Sequence, residues 1–125
     1  MKRKKMYVSG AISGYSPILV KTKFNEAERV VSALGFSPVN PLNNGIDECH
    51  SWTIHMIADI LILIRCRHVY FQKDWEYSRG AMIEFKIAKC LKMKLYFETK
   101  SYFVNKTKWH VVENGDKTYR VSHKR

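Results

Sequence analysis

The chain has 125 residues, 46% of them hydrophobic, which indicates a single globular domain large enough to bury a core. Its longest apolar run, residues 60–64, is too short to span a membrane, and the basic N-terminus lacks the apolar segment of a signal peptide. The net charge of +11 lies mainly at the ends, since residues 2–5 contribute +4 and residues 99–125 contribute +5, so only weak nucleic-acid contact through these basic ends is expected.

Strand and helix patterns alternate over the first 98 residues. Ser16-Pro17 and Ser51 are typical helix starts, and the second helix is predicted to bury a stripe that includes Trp52 and Met56. Alternating elements predict an α/β fold with a parallel sheet covered on both faces, in which ligands bind beyond the carboxyl ends of the strands. The predicted strands are residues 5–9, 36–40, 69–72 and 94–98, and the predicted helices are residues 17–34, 51–66 and 78–91.

The third predicted helix carries a carboxylate where an apolar side chain is expected. Helical spacing places Glu84 near the centre of a face that runs from Gly80 to Leu91 and is otherwise apolar or glycine. A carboxylate buried in such a face costs several kcal/mol unless partners or a wet cleft relieve it. Glu84 is therefore a candidate functional residue, and the alternative is a helix-end glutamate that reaches solvent or pairs with Arg79.

Residues 99–125 break the alternation. Two segments with strand character, residues 109–112 and 118–121, flank Asn114-Gly115, a dipeptide typical of hairpin turns. The sequence therefore predicts a domain at residues 1–98 and a basic C-terminal extension at residues 99–125 that forms a β-hairpin. This hairpin is expected to add a pair of strands at a sheet edge or to contact another subunit.

Four segments resemble an uncharacterised bacterial and phage family related to nucleoside 2-deoxyribosyltransferases and 2'-deoxynucleoside 5'-phosphate N-hydrolases. They are residues 7–14 (YVSGAISG), 39–41 (VNP), 58–60 (ADI) and 75–84 (WEYSRGAMIE), and the last is the most specific. The resemblance covers roughly residues 5–98. It implies a flavodoxin-like three-layer sandwich with a mainly parallel sheet, a homo-oligomer, and a nucleoside or nucleotide as the small-molecule ligand.

The chemistry that this resemblance implies is cleavage of the N-glycosidic bond between a base and deoxyribose, by hydrolysis or by transfer to a second base. Glu84 matches the nucleophile of the related enzymes, which forms a covalent glycosyl intermediate as retaining glycosidases do. Tyr7 matches a tyrosine that orients this glutamate, and Asp59 matches an acidic residue that contacts the sugar or assists proton transfer. Without the resemblance, Tyr7 is an ordinary strand tyrosine and Asp59 a polar residue of the second helix.

The residue at position 78, here a serine, differs between the two related enzyme types. At this position the transferases tend to carry Asp, whereas the nucleotide hydrolases carry a Ser that contacts the 5'-phosphate. Ser78 precedes Arg79 and the first amides of a helix, a setting that suits an anion, although a plain helix cap needs the same geometry. The predicted substrate-binding residues are Ser9, Gly10, Ile12, Gly14, Asn40, Trp75, Ser78, Arg79 and Gly80.

Two departures from the related enzymes keep other functions open. His68 stands where related chains carry an acidic residue, and no motif identifies Asp74 or Glu76 as the acid that would protonate the leaving base. The alternatives are a nucleotide-binding protein without turnover and, less favoured, a basic nucleic-acid-interaction module. No cofactor or metal is predicted. Three widely spaced cysteines without a Cys-x-x-Cys pair favour a cytoplasmic protein with reduced thiols.

Overall fold

The computed structural model describes residues 3–12, 14–43, 45, 51–98, 108–113 and 118–124. It forms a six-stranded sheet with three helices, and the turn predicted at residues 114–115 lies outside the described residues. The strands are β1 (Lys5–Ser9), β2 (Ser37–Val39), β3 (His68–Phe71), β4 (Lys94–Glu98), β5 (Lys108–Glu113) and β6 (Thr118–Lys124), and the helices are α1 (Pro17–Ala33), α2 (Trp52–Leu63) and α3 (Arg79–Cys90).

The sheet has the order β2-β1-β3-β4-β6-β5. Five of these strands are mutually parallel, and β5 runs antiparallel to β6 at the edge. The fold is thus the predicted α/β sandwich with a mainly parallel sheet, and β5 and β6 form the predicted C-terminal hairpin. This hairpin joins the sheet through β6, which pairs with β4 and buries Val121 in the core.

Strand alternation divides the core into two layers. Met6 and Val8 of β1 face α1, together with Phe24 of that helix, whereas Tyr7 faces the opposite layer with Leu63 of α2. Because α1 covers one face and α2 and α3 cover the other, the molecule has three layers. None of the described helices is long and apolar enough to cross a membrane.

Helix starts follow local capping chemistry. The side chains of Ser16, Ser51 and Ser78 each accept a hydrogen bond from the backbone N–H three residues later, which satisfies one of the donors left free at a helix start. Two apolar residues that were predicted to be buried are exposed. Trp52 is 41% exposed because it begins α2, and Leu91 is 53% exposed because α3 ends before it.

Candidate active site

Glu84 lies on the face of α3 that packs against the sheet. Its buried neighbours on this face are Ala81 and Ala88, about one turn away on either side, and their small side chains let the helix approach the strands closely. Glu84 itself is 5% exposed. The predicted position of a carboxylate within a buried helix face is therefore confirmed.

Two hydroxyl groups from β1 hold this carboxylate. Tyr7 donates to Oε2 of Glu84, and the Ser9 hydroxyl donates to Oε1 at 2.8 Å. Tyr7 and Ser9 are two residues apart on one strand, so their side chains project from the same face of the sheet. Both side chains are fully buried. Each oxygen of the carboxylate thus has its own donor, and the orientation of the group is fixed.

Burial dominates the acidity of Glu84. Removal from water raises the pKa of Glu84, the hydrogen bonds from Tyr7 and Ser9 oppose this rise, and the charge of Asp59 adds to it, so that the pKa is about 7. The pKa of Tyr7 is held well above its usual value, first by burial and then by the charge of Glu84. Tyr7 therefore stays protonated and remains a hydrogen-bond donor, whereas the carboxyl group of Glu84 changes its charge near neutral pH.

Asp59, on α2, adds a second buried carboxylate to the site. It is 7% exposed and shares the buried face of this helix with Met56 and Leu63. Its charge raises the pKa of both Glu84 and Tyr7, so it acts on the same site from the neighbouring helix. Three carboxylate or phenol groups from β1, α2 and α3 thus converge at one place.

The loop after β1 is fastened to the segment after β3. The Ala11 amide donates to Oδ1 of Asp74 at 3.3 Å, and the Lys23 ammonium pairs with Asp74 and donates to the Ala11 carbonyl at 2.7 Å. The Ala11 amide thus already has a hydrogen-bond partner within the protein. Ile12 is 41% exposed in this loop, and Gly14 has a φ of +90°, a backbone conformation that favours glycine.

Gly10 permits a close contact with Gln72, the residue that follows β3. A Cβ atom on Gly10 would lie 2.5 Å from Nε2 of Gln72 and 2.7 Å from its Cδ. Gln72 is buried, and its Nε2 has no hydrogen-bond partner among the described residues. The contact explains the need for glycine and places an unpaired amide donor at the carboxyl edge of the sheet.

The start of α3 combines three of the predicted binding residues. The Ser78 hydroxyl accepts from the Ala81 amide at 3.2 Å, so this residue is the helix cap. The Arg79 guanidinium lies over the ring of Trp52, 4.7 Å from its centroid. A Cβ atom on Gly80 would lie 3.0 Å from Sδ of Met56, so glycine here lets α2 and α3 pack closely.

Trp75 and Asn40 make contacts within the fold. The Trp75 ring belongs to an aromatic cluster, with centroid distances of 4.8 Å to Phe85 and 5.3 Å to Phe71. The Asn40 side chain donates to Glu28 at 2.8 Å and accepts from the Leu42 amide at 2.9 Å. Both lie at the carboxyl edge of the sheet, and these contacts are with other residues of the fold.

The structure brings Tyr7, Ser9 and Glu84 into direct contact and places Asp59 within electrostatic range. Sequence reasoning missed Gln72 and Lys23. The place of Gln72 directly after a buried strand was the available signal, because that edge binds ligands in parallel sheets. Lys23 gave no signal, since its partner Asp74 is 51 positions away.

The arrangement suits chemistry that needs a carboxylate at neutral pH. A hydrogen-bonded carboxylate with a pKa near 7 can attack an electrophilic carbon or stabilise a cation that forms beside it. Within the described part of the chain, no three His, Cys, Asp or Glu side chains form a group that could hold a metal ion.

Solved structures share this fold at low sequence identity. A 2-deoxyribosyltransferase from the psychrotolerant bacterium Bacillus psychrosaccharolyticus aligns with a TM-score of 0.59 and 16% identity, over 81% of this chain and 76% of that protein. A 2-deoxyribosyltransferase from Leishmania mexicana aligns with a TM-score of 0.60 and 16% identity, over 78% of this chain and 65% of that protein. The predicted flavodoxin-like fold is therefore the fold of these enzymes.

Sequence comparison gives a narrower assignment. No curated protein matches the chain significantly. One family model, described as "Domain of unknown function (DUF4406)", matches residues 4–97. This range contains the carboxylate, both of its hydroxyl donors and Asp59. On this match, the chain belongs to the DUF4406 family.

Proposed function

We propose that this protein cleaves the N-glycosidic bond of deoxynucleosides or their 5'-monophosphates, with Glu84 as the nucleophile. The observation that carries the proposal is the buried carboxylate of Glu84, held by the hydroxyls of Tyr7 and Ser9 at the carboxyl edge of the sheet. A second support is the fold, which the chain shares with two 2-deoxyribosyltransferases.

In the first step an oxygen of Glu84 attacks the anomeric carbon of the deoxyribose. The bond from this carbon to the base nitrogen breaks, and its electron pair leaves with the base. The transition state resembles an oxocarbenium ion, which a nearby carboxylate stabilises. Water or a second base then attacks the same carbon and releases Glu84 as a carboxylate, and the proton that the attacking group loses is taken up by the base that left. Water yields free deoxyribose or its phosphate, whereas a second base yields a new nucleoside.

Tyr7 and Ser9 have the role of positioning residues in this proposal. A carboxylate bound by two hydroxyls has a fixed direction of attack, and a preoriented nucleophile lowers the entropic part of the barrier. Their bonds also favour the charged form that attacks, in opposition to burial. Loss of either hydroxyl is expected to reduce turnover more than substrate binding.

Asp59 is assigned to the sugar or to proton transfer toward the leaving base. Its burial on the neighbouring helix and its electrostatic effect on Glu84 support this role. Asp74 is less suited to this role, because it pairs with Lys23 and binds the Ala11 amide.

The substrate is proposed to carry a 5'-phosphate at the start of α3. The Ser78 hydroxyl accepts one hydrogen bond as a cap and keeps its own proton for an anion, and the positive end of the helix dipole favours negative charge. Arg79 adds a cation at this place, with its guanidinium stacked on Trp52. These features support a monophosphate over an unphosphorylated nucleoside.

The active form is proposed to be a homo-oligomer. The outer face of α2 exposes Ile54, Ile57 and Leu61, which recur at helical spacing beside the helix face that carries Asp59. A contiguous apolar face of this kind is typical of protein interfaces. Sedimentation of the wild type and of an Ile57→Lys variant tests this point, since the charge should favour the monomer.

A substrate panel tests the function directly. The full chain is incubated with the four deoxynucleosides and their 5'-monophosphates, with and without a second base, and free base and new nucleosides are separated by chromatography. The proposal expects release of base by the wild type and none by Glu84→Gln, a substitution that keeps the volume of the side chain. Full activity in Glu84→Gln removes the nucleophile assignment.

A thermal-shift arm distinguishes an enzyme from a binder. Stabilisation by a deoxynucleotide without release of base would identify a nucleotide-binding protein that lacks turnover. Retention of oligonucleotides that disappears with added salt, without either effect, would instead favour the basic interaction module.

A further inference from the structure

A cavity of about 930 Å³ opens at the edge of the sheet opposite to Glu84. It lies where β1, β3 and β4 begin, whereas Glu84 meets β1 near its end at Ser9. Five residues of extended strand separate the two places by about 13 Å. Its cationic lining residues are Lys4, Lys5, Arg65, Arg67, Lys92 and Lys94, and they define what we call the basic cleft.

The sheet register brings these cations together from distant parts of the chain. His68 of β3 lies opposite Met6 of β1 on one side and opposite Lys94 of β4 on the other. The Lys94 amide also donates to the carbonyl of Arg67 at 3.1 Å. Adjacent strands lie about 4.8 Å apart, so the residues that begin these strands lie close together along one edge of the sheet.

The partial negative charges at helix C-termini offset only part of this positive charge. Helices α2 and α3 end at this edge, and the end of a helix carries roughly half a negative charge, which nearby cations neutralise. Two helix ends therefore balance about one of six positive charges. The lining includes no Asp or Glu among the described residues. The charges of Lys4, Lys5, Arg65, Arg67 and Lys94 thus have no acidic residue to balance them within the described lining.

His68 provides a second, independent observation in the basic cleft. It lines the cavity and is 4% exposed, yet its Nδ1 has no hydrogen-bond partner among the described residues. Burial lowers the pKa of His68, and the charges of Lys94 and Lys4 lower it further. The imidazole ring packs against Phe36, with 4.7 Å between the ring centroids, and its Nδ1 is a polar atom that the described residues leave unsatisfied beside these cations.

We propose that the basic cleft is a second binding site, for a small ligand that carries several adjacent phosphate groups. Clustered phosphates match clustered cations, and charge-assisted hydrogen bonds to lysine and arginine are among the stronger polar contacts. The cavity has the size of a pocket for one small molecule. The described residues of its lining include no Phe, Tyr or Trp on which bases could stack, as they do in sites for single-stranded nucleic acids, so a compact polyphosphate fits better.

Calorimetric titration of the full chain tests the proposal with two ligands. Inorganic triphosphate measures the contribution of the phosphates alone, and a deoxynucleoside triphosphate shows whether a nucleoside adds affinity. Lys4→Gln/Lys94→Gln removes two cations of the basic cleft at exposed positions. Lys21→Gln/Lys86→Gln is the matched control, because it removes the same charge from exposed positions of α1 and α3 outside the cleft.

The expected result is a loss of about tenfold or more in triphosphate affinity for the cleft variant, and less than about twofold for the control. Glu84→Gln should bind triphosphate as the wild type does, which separates this test from that of the catalytic proposal. The NMR signals of His68 should shift on addition of triphosphate. Melting temperatures confirm that each variant is folded.

Three outcomes would overturn the proposal. The first is absence of triphosphate binding to the wild type at low salt. The second is an equal loss in the cleft and control variants, which would mean that net charge alone attracts the ligand. The third is binding of a short single-stranded DNA, sensitive to Lys4→Gln/Lys94→Gln, without binding of triphosphate, which would make the basic cleft a nucleic-acid surface.

Discussion

Tyr7 donates its hydroxyl hydrogen to Oε2 of Glu84, a contact between β1 and α3 that spans 77 positions of the chain. Both side chains are buried, so the bond operates with little competition from water. It favours the charged carboxylate, whereas burial favours the protonated form. The balance between these two effects determines how stability and activity depend on pH.

Stability should fall as pH rises through the range between the unfolded and folded pKa values of Glu84. The unfolded chain releases this proton at about 4.5 and the folded chain at about 7, so the native state binds more protons in between. A raised pKa of this size corresponds to about 3 kcal/mol of unfolding free energy. This contribution is present below pH 4.5 and is lost by about pH 7.

Urea unfolding at pH 5 and pH 8 measures this effect. Other groups also titrate in this range, so Glu84→Gln is the reference, because it lacks the ionisable carboxyl but keeps its size. The wild type should lose more stability than Glu84→Gln between the two values. Parallel losses in the two proteins would show that Glu84 does not have a raised pKa.

Tyr7→Phe should move the pH dependence of base release toward higher pH. The substitution removes a hydrogen bond that favours the charged carboxylate, so Glu84 ionises later. A hydrogen bond to a charged group contributes about 1.5–3 kcal/mol, which equals a shift of roughly one to two pH units. The measurement is kcat/KM across pH 5–9, and an unmoved acid limb would mean that Tyr7 has only a packing role.

Ser78→Ala should weaken the use of monophosphates by roughly tenfold or more, with little effect on unphosphorylated nucleosides. The loss of the cap should also lower the free energy of unfolding by about 1 kcal/mol. Ser16→Ala is a matched control, because Ser16 caps α1 with a similar hydrogen bond to the Leu19 amide. Equal kinetic effects in both variants would identify Ser78 as a cap alone and would favour a transferase over a nucleotide hydrolase.

Gly10→Ala should destabilise the fold by about 1–3 kcal/mol, because the added methyl group overlaps the buried Gln72 side chain. The cost should be smaller when Gln72 is also replaced by alanine, since the double variant removes the overlapping atoms. Chemical denaturation of the two single variants and the double variant measures this coupling. Additive effects would show that the two residues do not compete for space.

Local signals allowed much of this fold to be predicted. The bounds of β1 and β4 agree with the sequence pattern, and the caps Ser16, Ser51 and Ser78 are where short-range chemistry places them. These features depend on neighbouring residues only. The same holds for Glu84, whose burial followed from the apolar residues on its own helix face.

Features that depend on distant partners were not predictable from periodicity. The pairing of Lys23 with Asp74 joins α1 to the segment after β3, and the space beside Gly10 is filled by Gln72. The basic cleft is the clearest case, because charge counts along the chain assign Lys4 and Lys5 to a tail, whereas the sheet register places them beside other cations. Such groupings arise from strand order, which no local pattern specifies.

The position of β6 between β4 and β5 has a consequence for the time course of folding. Among the described strands, β6 is synthesised last, yet it covers the open edge of β4 and brings Val121 into the core. Until residues 118–124 leave the ribosome, the nascent chain presents β4 as an unpaired edge, which is the kind of surface that pairs with another chain. The interval before β6 docks is therefore when this protein is most exposed to aggregation.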